Sequence, residues 1–314
     1  MPKVLFLACS SHSGSTLLTF LVNLHPKMIA VGHMVGWDSE SDEYIQCSCG
    51  ERLDECPFFR NMHEALKAQG LPFSYNHFGT RYSLARNGRL NRTLTAYLPY
   101  LHNSRLEAIR DLAVRSIPAF SQKISLTNRI NHAFIECALA YKGATVFVEN
   151  AAGNPFRLRL LRHIQGLDIY TVYLVRDFRG VALSNMKRRG WDPVTATKVW
   201  LRQQGDILRI VGEGQRFIRV YYEDFATSTN ETLAEIHRFV GLEPRTFDGD
   251  FKETEHHVLG NVMRLKSSTI NPDTRWRTEL SVEDLAAITN TATAFARRHP
   301  NHPVSELVEH YLNA

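Results

Sequence analysis

Two short runs in this chain carry residue types suited to anion chemistry. In the first, Ser11-His12-Ser13-Gly14-Ser15-Thr16 follows an apolar run, Val4 to Ala8, and precedes Leu17, Leu18, Phe20, Leu21 and Val22 at helical spacing. A Ser- and Gly-rich loop between a strand and a helix aims unpaired backbone N–H groups at one point, where the helix dipole adds partial positive charge. Such a loop binds phosphate. Gly14 lets the backbone approach an anion closely, and the hydroxyls of Ser13, Ser15 and Thr16 can donate to its oxygens. The same residue types also make an ordinary helix cap. A mononucleotide P-loop would add Gly-Lys-Ser/Thr to reach the outer phosphates and hold Mg²⁺; this loop lacks the Lys, which argues against ATP or GTP hydrolysis.

The second run, Tyr170 to Val175, is strand-prone, ends in Arg176-Asp177 and leads into a helical pattern carrying Ser184 and Arg188. Ser184 and Arg188 share one helix face, and Arg176 at the strand end can turn towards them. A forked guanidinium, a hydroxyl and a second cation suit one phosphate group.

Taken together, the two runs resemble those of the sulfotransferases that use 3'-phosphoadenosine 5'-phosphosulfate (PAPS). The first is similar to that family's 5'-phosphosulfate loop and the second, Val-Arg-Asp with Ser eight residues on, to its 3'-phosphate motif. The bacterial type is suggested by the His-Ser-Gly-Ser-Thr loop and by Cys47-Ser48-Cys49-Gly50 followed by Cys56-Pro57-Phe58. The segments Tyr221-Tyr222-Glu223-Asp224-Phe225, His257, Gly260-Asn261, Met263-Arg264 and Trp276-Arg277 add to the resemblance. It implies that Ser11 to Thr16, Arg176, Ser184 and Arg188 hold the nucleotide. It further implies that Tyr222 lies beside the nucleotide and that a loop with Gly260, Asn261 and Arg264 covers it.

One departure bears on mechanism. His12 stands where the family carries Lys or Arg, and imidazole replaces that cation only when protonated, a state that a bound phosphate favours. Sulfuryl transfer resembles phosphoryl transfer in needing alignment and charge stabilisation more than covalent help, and it requires no metal. His12 is therefore expected at the leaving group. A base must also take the acceptor's proton. In tyrosylprotein sulfotransferases the base is a Glu just after the second strand; His25-Pro26 keeps that register here and brings His33 to the position. Asp38, Glu40 and Glu149 are substitutes for it. On the acceptor side, Glu149 and Asn150 end a buried-looking strand, where they either contact the acceptor or cap a helix. Trp37, Phe73, Tyr75, Phe78, Tyr82, Tyr97 and Tyr100 either line its pocket or pack a core.

Cys47, Cys49 and Cys56 crowd into ten positions, and His63 would complete a Cys₃His zinc site; a disulfide or three reduced thiols fits the sequence equally well. The resemblance makes this segment a local fold element near the acceptor mouth.

These residues need a scaffold. Apolar runs at Val4–Ala8, Met28–Val31, Thr145–Val148, Ile169–Val175 and Phe217–Tyr221 alternate with helical patterns, which predicts an α/β fold with a P-loop-like parallel sheet flanked by helices. Residues from about 60 to 141 read as an inserted helical cap, so residues 1–314 form one domain with that insertion. Its arginines, Arg81, Arg86, Arg89, Arg92, Arg105, Arg110 and Arg115, read as a solvated face. At 44% hydrophobic residues the chain can bury a sizeable core, and a net charge of +5 is compatible with an anionic ligand without requiring one. The opening apolar run is too short for a signal peptide and no run is long enough to span a membrane, so a cytoplasmic protein is expected. Its partner would be a small-molecule, lipid or carbohydrate acceptor rather than nucleic acid. A P-loop kinase or NTPase, and a protein that binds the desulfo-nucleotide without catalysis, are the competing readings.

Overall fold

Five apolar runs pair in parallel as β1 (Lys3–Cys9), β2 (Met28–Gly32), β3 (Val146–Asn150), β4 (Asp168–Val175) and β5 (Phe217–Tyr221), in the order β2-β3-β1-β4-β5. The computed structural model describes residues 1–34, 46–96, 104–214, 216–252, 256–259 and 270–313. Trp37, Asp38, Glu40, Tyr97, Tyr100, Gly260, Asn261 and Arg264 lie outside the described residues.

Both sheet faces are buried, which is why the central strands read as unbroken apolar runs. Leu5, Leu7 and Cys9 of β1 point to one face, where α1 (Ser15–Asn23), α9 (Tyr222–Thr227) and α10 (Thr229–Phe239) cover them. Phe6 and Ala8 point to the other, against α6 (Phe156–Leu161), α7 (Phe178–Arg189) and α8 (Pro193–Gly212). That side is extended by the later helices α11 (Trp276–Glu279), α12 (Val282–Arg298) and α13 (Pro303–Asn313).

The segment expected as a cap divides in two. Phe58, Phe59 and Met62 of α2 (Pro57–Ala68) and Ile130, Phe134 and Ala138 of α5 (Pro118–Lys142) pack on Ile29, Val31 and Phe147. These two helices therefore cover the β2–β3 half of the sheet. Phe73 and Phe78 stack into the same cluster, so they serve as core rather than pocket lining. The remaining pair, α3 (Gly88–Thr95) and α4 (Ser104–Ser116), packs through α4 against α5. It is tied down by polar groups: Arg110 donates to the carbonyls of Thr93 and Ala96, and fully buried Glu107 bridges Arg159 of α6 and Arg209 of α8. Thus the cap's arginines are not uniformly solvated.

Candidate functional site

The carboxyl ends of the strands meet at the loop between β1 and α1. His12 has φ 65°, the one positive value among non-glycine residues described, and Gly14 has φ 85°. Left-handed residues alternating along a turn point successive N–H groups inward and build an anion-binding concavity. α1 starts at Gly14 with no side-chain cap, leaving its first-turn N–H groups without intrahelical partners. A buried hydrogen-bond chain fixes the loop: Tyr173 Oη donates to Gln204 Oε1 at 2.6 Å, Gln204 Nε2 donates to Ser10 Oγ at 3.3 Å, and Ser10 Oγ meets Ser13 Oγ at 2.6 Å. Gly14 is required on two counts, because a Cβ there would also come within 2.4 Å of the Tyr222 ring.

Arg176, at the end of β4, lies against this loop. Its Nη1 donates to the His12 carbonyl at 2.9 Å and its guanidinium sits 4.5 Å from the centre of the Tyr222 ring. The space it fills exists because residue 180 is glycine; a Cβ there would stand 3.1 Å from Arg176 Nη2. Asp273 holds the other side, with a 2.9 Å ion pair to Arg176, and its backbone N–H donates to Tyr222 Oη at 3.1 Å. Hydrogen bonding to Arg275 and then to Arg176 keeps the Asp273 carboxyl far below the usual range. Burial first, then the charges of Arg188, Arg189 and Arg176, push His12 down to about 4. The contact between the two runs is the hydrogen bond from Arg176 to the His12 carbonyl. Ser184 Oγ, by contrast, donates to Gly180 O at 3.0 Å within its own helix.

Beside the loop is a cavity of about 560 Å³, lined by His33 and Met34 after β2, by residues 149–157 after β3, by Arg81, Tyr82 and Arg92, and by Arg202 and Asp206 of α8. It adjoins the loop directly: Gly153 N donates to Cys9 O at 2.8 Å, and a Cβ on Gly153 would lie 2.9 Å from Ser11 Oγ. Glu149 is 1% exposed and ion-paired to Arg157, which also donates to Thr80 O and Asn131 Oδ1; Glu149 Oε2 has no hydrogen-bond partner. Asn150 spends its side chain locally, donating to Thr19 Oγ1 and accepting from Ala152 N. His33 is half-buried, and its backbone N–H donates to Leu259 O at 3.2 Å.

No protein-family model matches the chain, and no curated protein matches it either. Among solved structures it is similar to the sulfotransferase domain from the curacin biosynthetic pathway, with 15% identity over 94% of this chain and 98% of that one and a TM-score of 0.50. The fold is similar to that of a sulfotransferase domain. At this identity the likeness concerns the fold alone. Another similarity, to the sulfotransferase domain from the Synechococcus PCC 7002 olefin synthase, has 18% identity over 94% of each chain and a TM-score of 0.48. No helix among the described residues is long and apolar enough to cross a membrane.

Two residues that support the loop and Arg176, Gln204 and Asp273, were not singled out from the sequence. Glu223, within the Tyr221 to Phe225 segment, accepts from Asp177 N at 3.1 Å and from Tyr311 Oη at 3.0 Å, and so steadies the turn after Arg176. Gln204 and Asp273 have no local sequence signal, because each acts on a partner far along the chain. The cysteine cluster calls for a correction. The histidine beside Cys47, Cys49 and Cys56 is His257, whereas His63 pairs its Nδ1 with Tyr75 Oη at 3.2 Å and stacks near Phe73.

Proposed function

We propose that this protein is a sulfotransferase that moves a sulfuryl group from PAPS to a hydroxyl or amine of a small-molecule, lipid or carbohydrate acceptor. The observation carrying this reading is the junction at residues 11 and 12. Arg176 is hydrogen-bonded to the His12 carbonyl while the Gly153 turn of the cavity abuts Ser11, so the loop lies next to an open cavity large enough for a small acceptor. In the reading, the loop N–H groups with Ser13, Ser15 and Thr16 hold the 5'-phosphosulfate. Arg176, Ser184 and Arg188 take the 3'-phosphate, Ser184 turning its hydroxyl from Gly180. Tyr222 packs by the nucleotide.

The acceptor oxygen attacks sulfur in line with the bridging S–O bond. A new O–S bond forms as that bond breaks, His33 takes the acceptor's proton, and 3',5'-adenosine bisphosphate departs with charge on the oxygen facing His12. Protonated by then, His12 stabilises that oxygen. His33 is preferred to Glu149 as base because the Arg157 guanidinium already neutralises the Glu149 carboxylate. Glu149 and Asn150 shape the acceptor floor. Arg81, Arg92 and Arg202 along the cavity suit an acceptor that also carries an anionic group.

The reading is tested by following the ³⁵S label from PAPS onto a panel of hydroxyl acceptors in magnesium-free buffer. Transfer that depends on His33 supports it. Phosphate transfer from ATP that needs Mg²⁺ would put a kinase in its place, and tight nucleotide binding with no turnover on any acceptor would leave a binding protein.

A further inference from the structure

The four donors Cys47 Sγ, Cys49 Sγ, Cys56 Sγ and His257 Nδ1 all lie within 4.8 Å of one another. A tetrahedral zinc centre, with metal–sulfur bonds of ~2.3 Å and a metal–nitrogen bond of ~2.0 Å, has sulfur–sulfur edges of roughly 3.8 Å and sulfur–nitrogen edges of roughly 3.5 Å. Three of the six edges here come close to these lengths, with Cys49 Sγ to Cys56 Sγ at 3.7 Å, Cys56 Sγ to His257 Nδ1 at 3.2 Å and Cys47 Sγ to His257 Nδ1 at 3.8 Å, and the other edges are no longer than 4.8 Å. A disulfide would bring two sulfurs to ~2.05 Å, and the cysteines are free.

Short-range structure explains how so tight a Cys-x-Cys spacing reaches this geometry. Cys47 N donates to Glu51 O at 2.8 Å and Gly50 N to Cys47 O at 3.0 Å, closing a turn that Gly50 completes with φ 96°. The turn folds the Cys49 thiol back beside Cys47. Cys56 N bonds Arg52 O at 2.7 Å and brings the third sulfur in just ahead of α2. Ser48 then grips both sides of His257: its hydroxyl donates to His256 O and accepts from Val258 N, each at 2.8 Å. Phe58 stacks on the imidazole at 5.1 Å, and Tyr141 meets it edge-on at 5.8 Å.

We propose that Cys47, Cys49, Cys56 and His257 bind one structural zinc ion that fastens the 47–56 turn to the 256–259 segment. Four protein donors close the coordination shell, which marks a structural rather than a catalytic centre, and three thiolates with one imidazole select zinc over harder cations. Binding expels the protons remaining on the thiols and leaves the centre with a single negative charge. The ion's work is mechanical. Leu259, two residues past the ligand, donates from its N–H to Val31 O at 2.9 Å and accepts from His33 N, so zinc steadies the edge of the sheet from which His33 emerges. Gly32 makes that contact, since a Cβ there would fall 1.9 Å from Leu259 O. The site does not depend on the transfer reaction proposed above.

The test is the metal content of the full chain purified without chelator from zinc-supplemented medium, together with absorption spectroscopy at the zinc edge. One zinc per chain in a shell of three sulfurs and one nitrogen is expected. His63→Ala should keep the metal, and Cys56→Ser and His257→Ala should each lose it or bind it at least tenfold more weakly. Because those two variants could misfold, Co²⁺ is also exchanged into the wild-type protein, where a thiolate-to-cobalt charge-transfer band of tetrahedral character is expected. Zinc-free protein giving no cobalt band, a Cys49–Cys56 disulfide in native protein, or a zinc shell that survives His257→Ala would each overturn the proposal.

Discussion

Burial and the charges of Arg188, Arg189 and Arg176 hold the ligand-free His12 imidazole at about 4, so it is neutral at neutral pH. An unfolded His12 would titrate near ~6.5 and so takes a proton that the folded chain refuses; its contribution to stability is intact above about 6.5 and declines as pH falls towards about 4. A bound phosphate neutralises the same arginines and favours the imidazolium. Nucleotide binding is therefore expected to carry a proton onto His12 at pH values above about 4, up to the imidazole pKa of the complex. Calorimetry in two buffers of different ionisation heat should show more proton uptake for wild type than for His12→Asn, and equal uptake would refute this role. At the acceptor end, His33→Ala should lower kcat by ~100-fold or more while leaving nucleotide affinity within about threefold, as loss of a base does. A matched loss of nucleotide affinity would count against His33 as base. The loop and Arg176 were readable because their residue types and spacing are local. Asp273 was not: it meets Arg176 from 97 residues away, a pairing no window of sequence contains.

The β1–loop–α1 unit is held from below by the Tyr173–Gln204–Ser10–Ser13 chain and from above by Tyr222. Gln204→Leu removes one link and strands the Tyr173 hydroxyl in the core, for a loss of about 1–3 kcal/mol measured by urea unfolding. Gly14→Ala sets a methyl group against Tyr222 at a φ only glycine tolerates well, so bisphosphate binding should become undetectable by calorimetry. Retained binding would mean that the loop is not the anion site. At this scale periodicity served well: the apolar run expected as a strand over Phe217 to Tyr221 is β5 to the residue. It served less well in the long insertion. The apolar stripe of α5 announces a buried face without saying that the face meets β2 and β3. Likewise, proximity in sequence favoured His63 for the cysteine cluster, when the histidine that arrives is 201 residues beyond Cys56.

Five parallel strands with β1 between β3 and β4 direct every strand end to one edge, and that edge carries His12, His33, Glu149 and Arg176. The α/β class and its five strands were legible from alternating apolar runs, because a parallel sheet buried on both faces leaves that record. The strand order and the fit of the cavity against Ser11 come from packing between distant segments. If this edge binds a nucleotide carrying both a 3'- and a 5'-phosphate, calorimetric titration of wild type and Arg176→Ala with 3',5'-adenosine bisphosphate, ADP and ATP will show it. The titrations are run in magnesium-free buffer without chelator, which would strip a zinc ion. Wild type should prefer the bisphosphate, and Arg176→Ala should bind it roughly 100-fold more weakly, the loss of a charged bidentate contact. Equal or tighter binding of ATP, or a bisphosphate affinity indifferent to Arg176, would contradict a bisphosphate site at this edge.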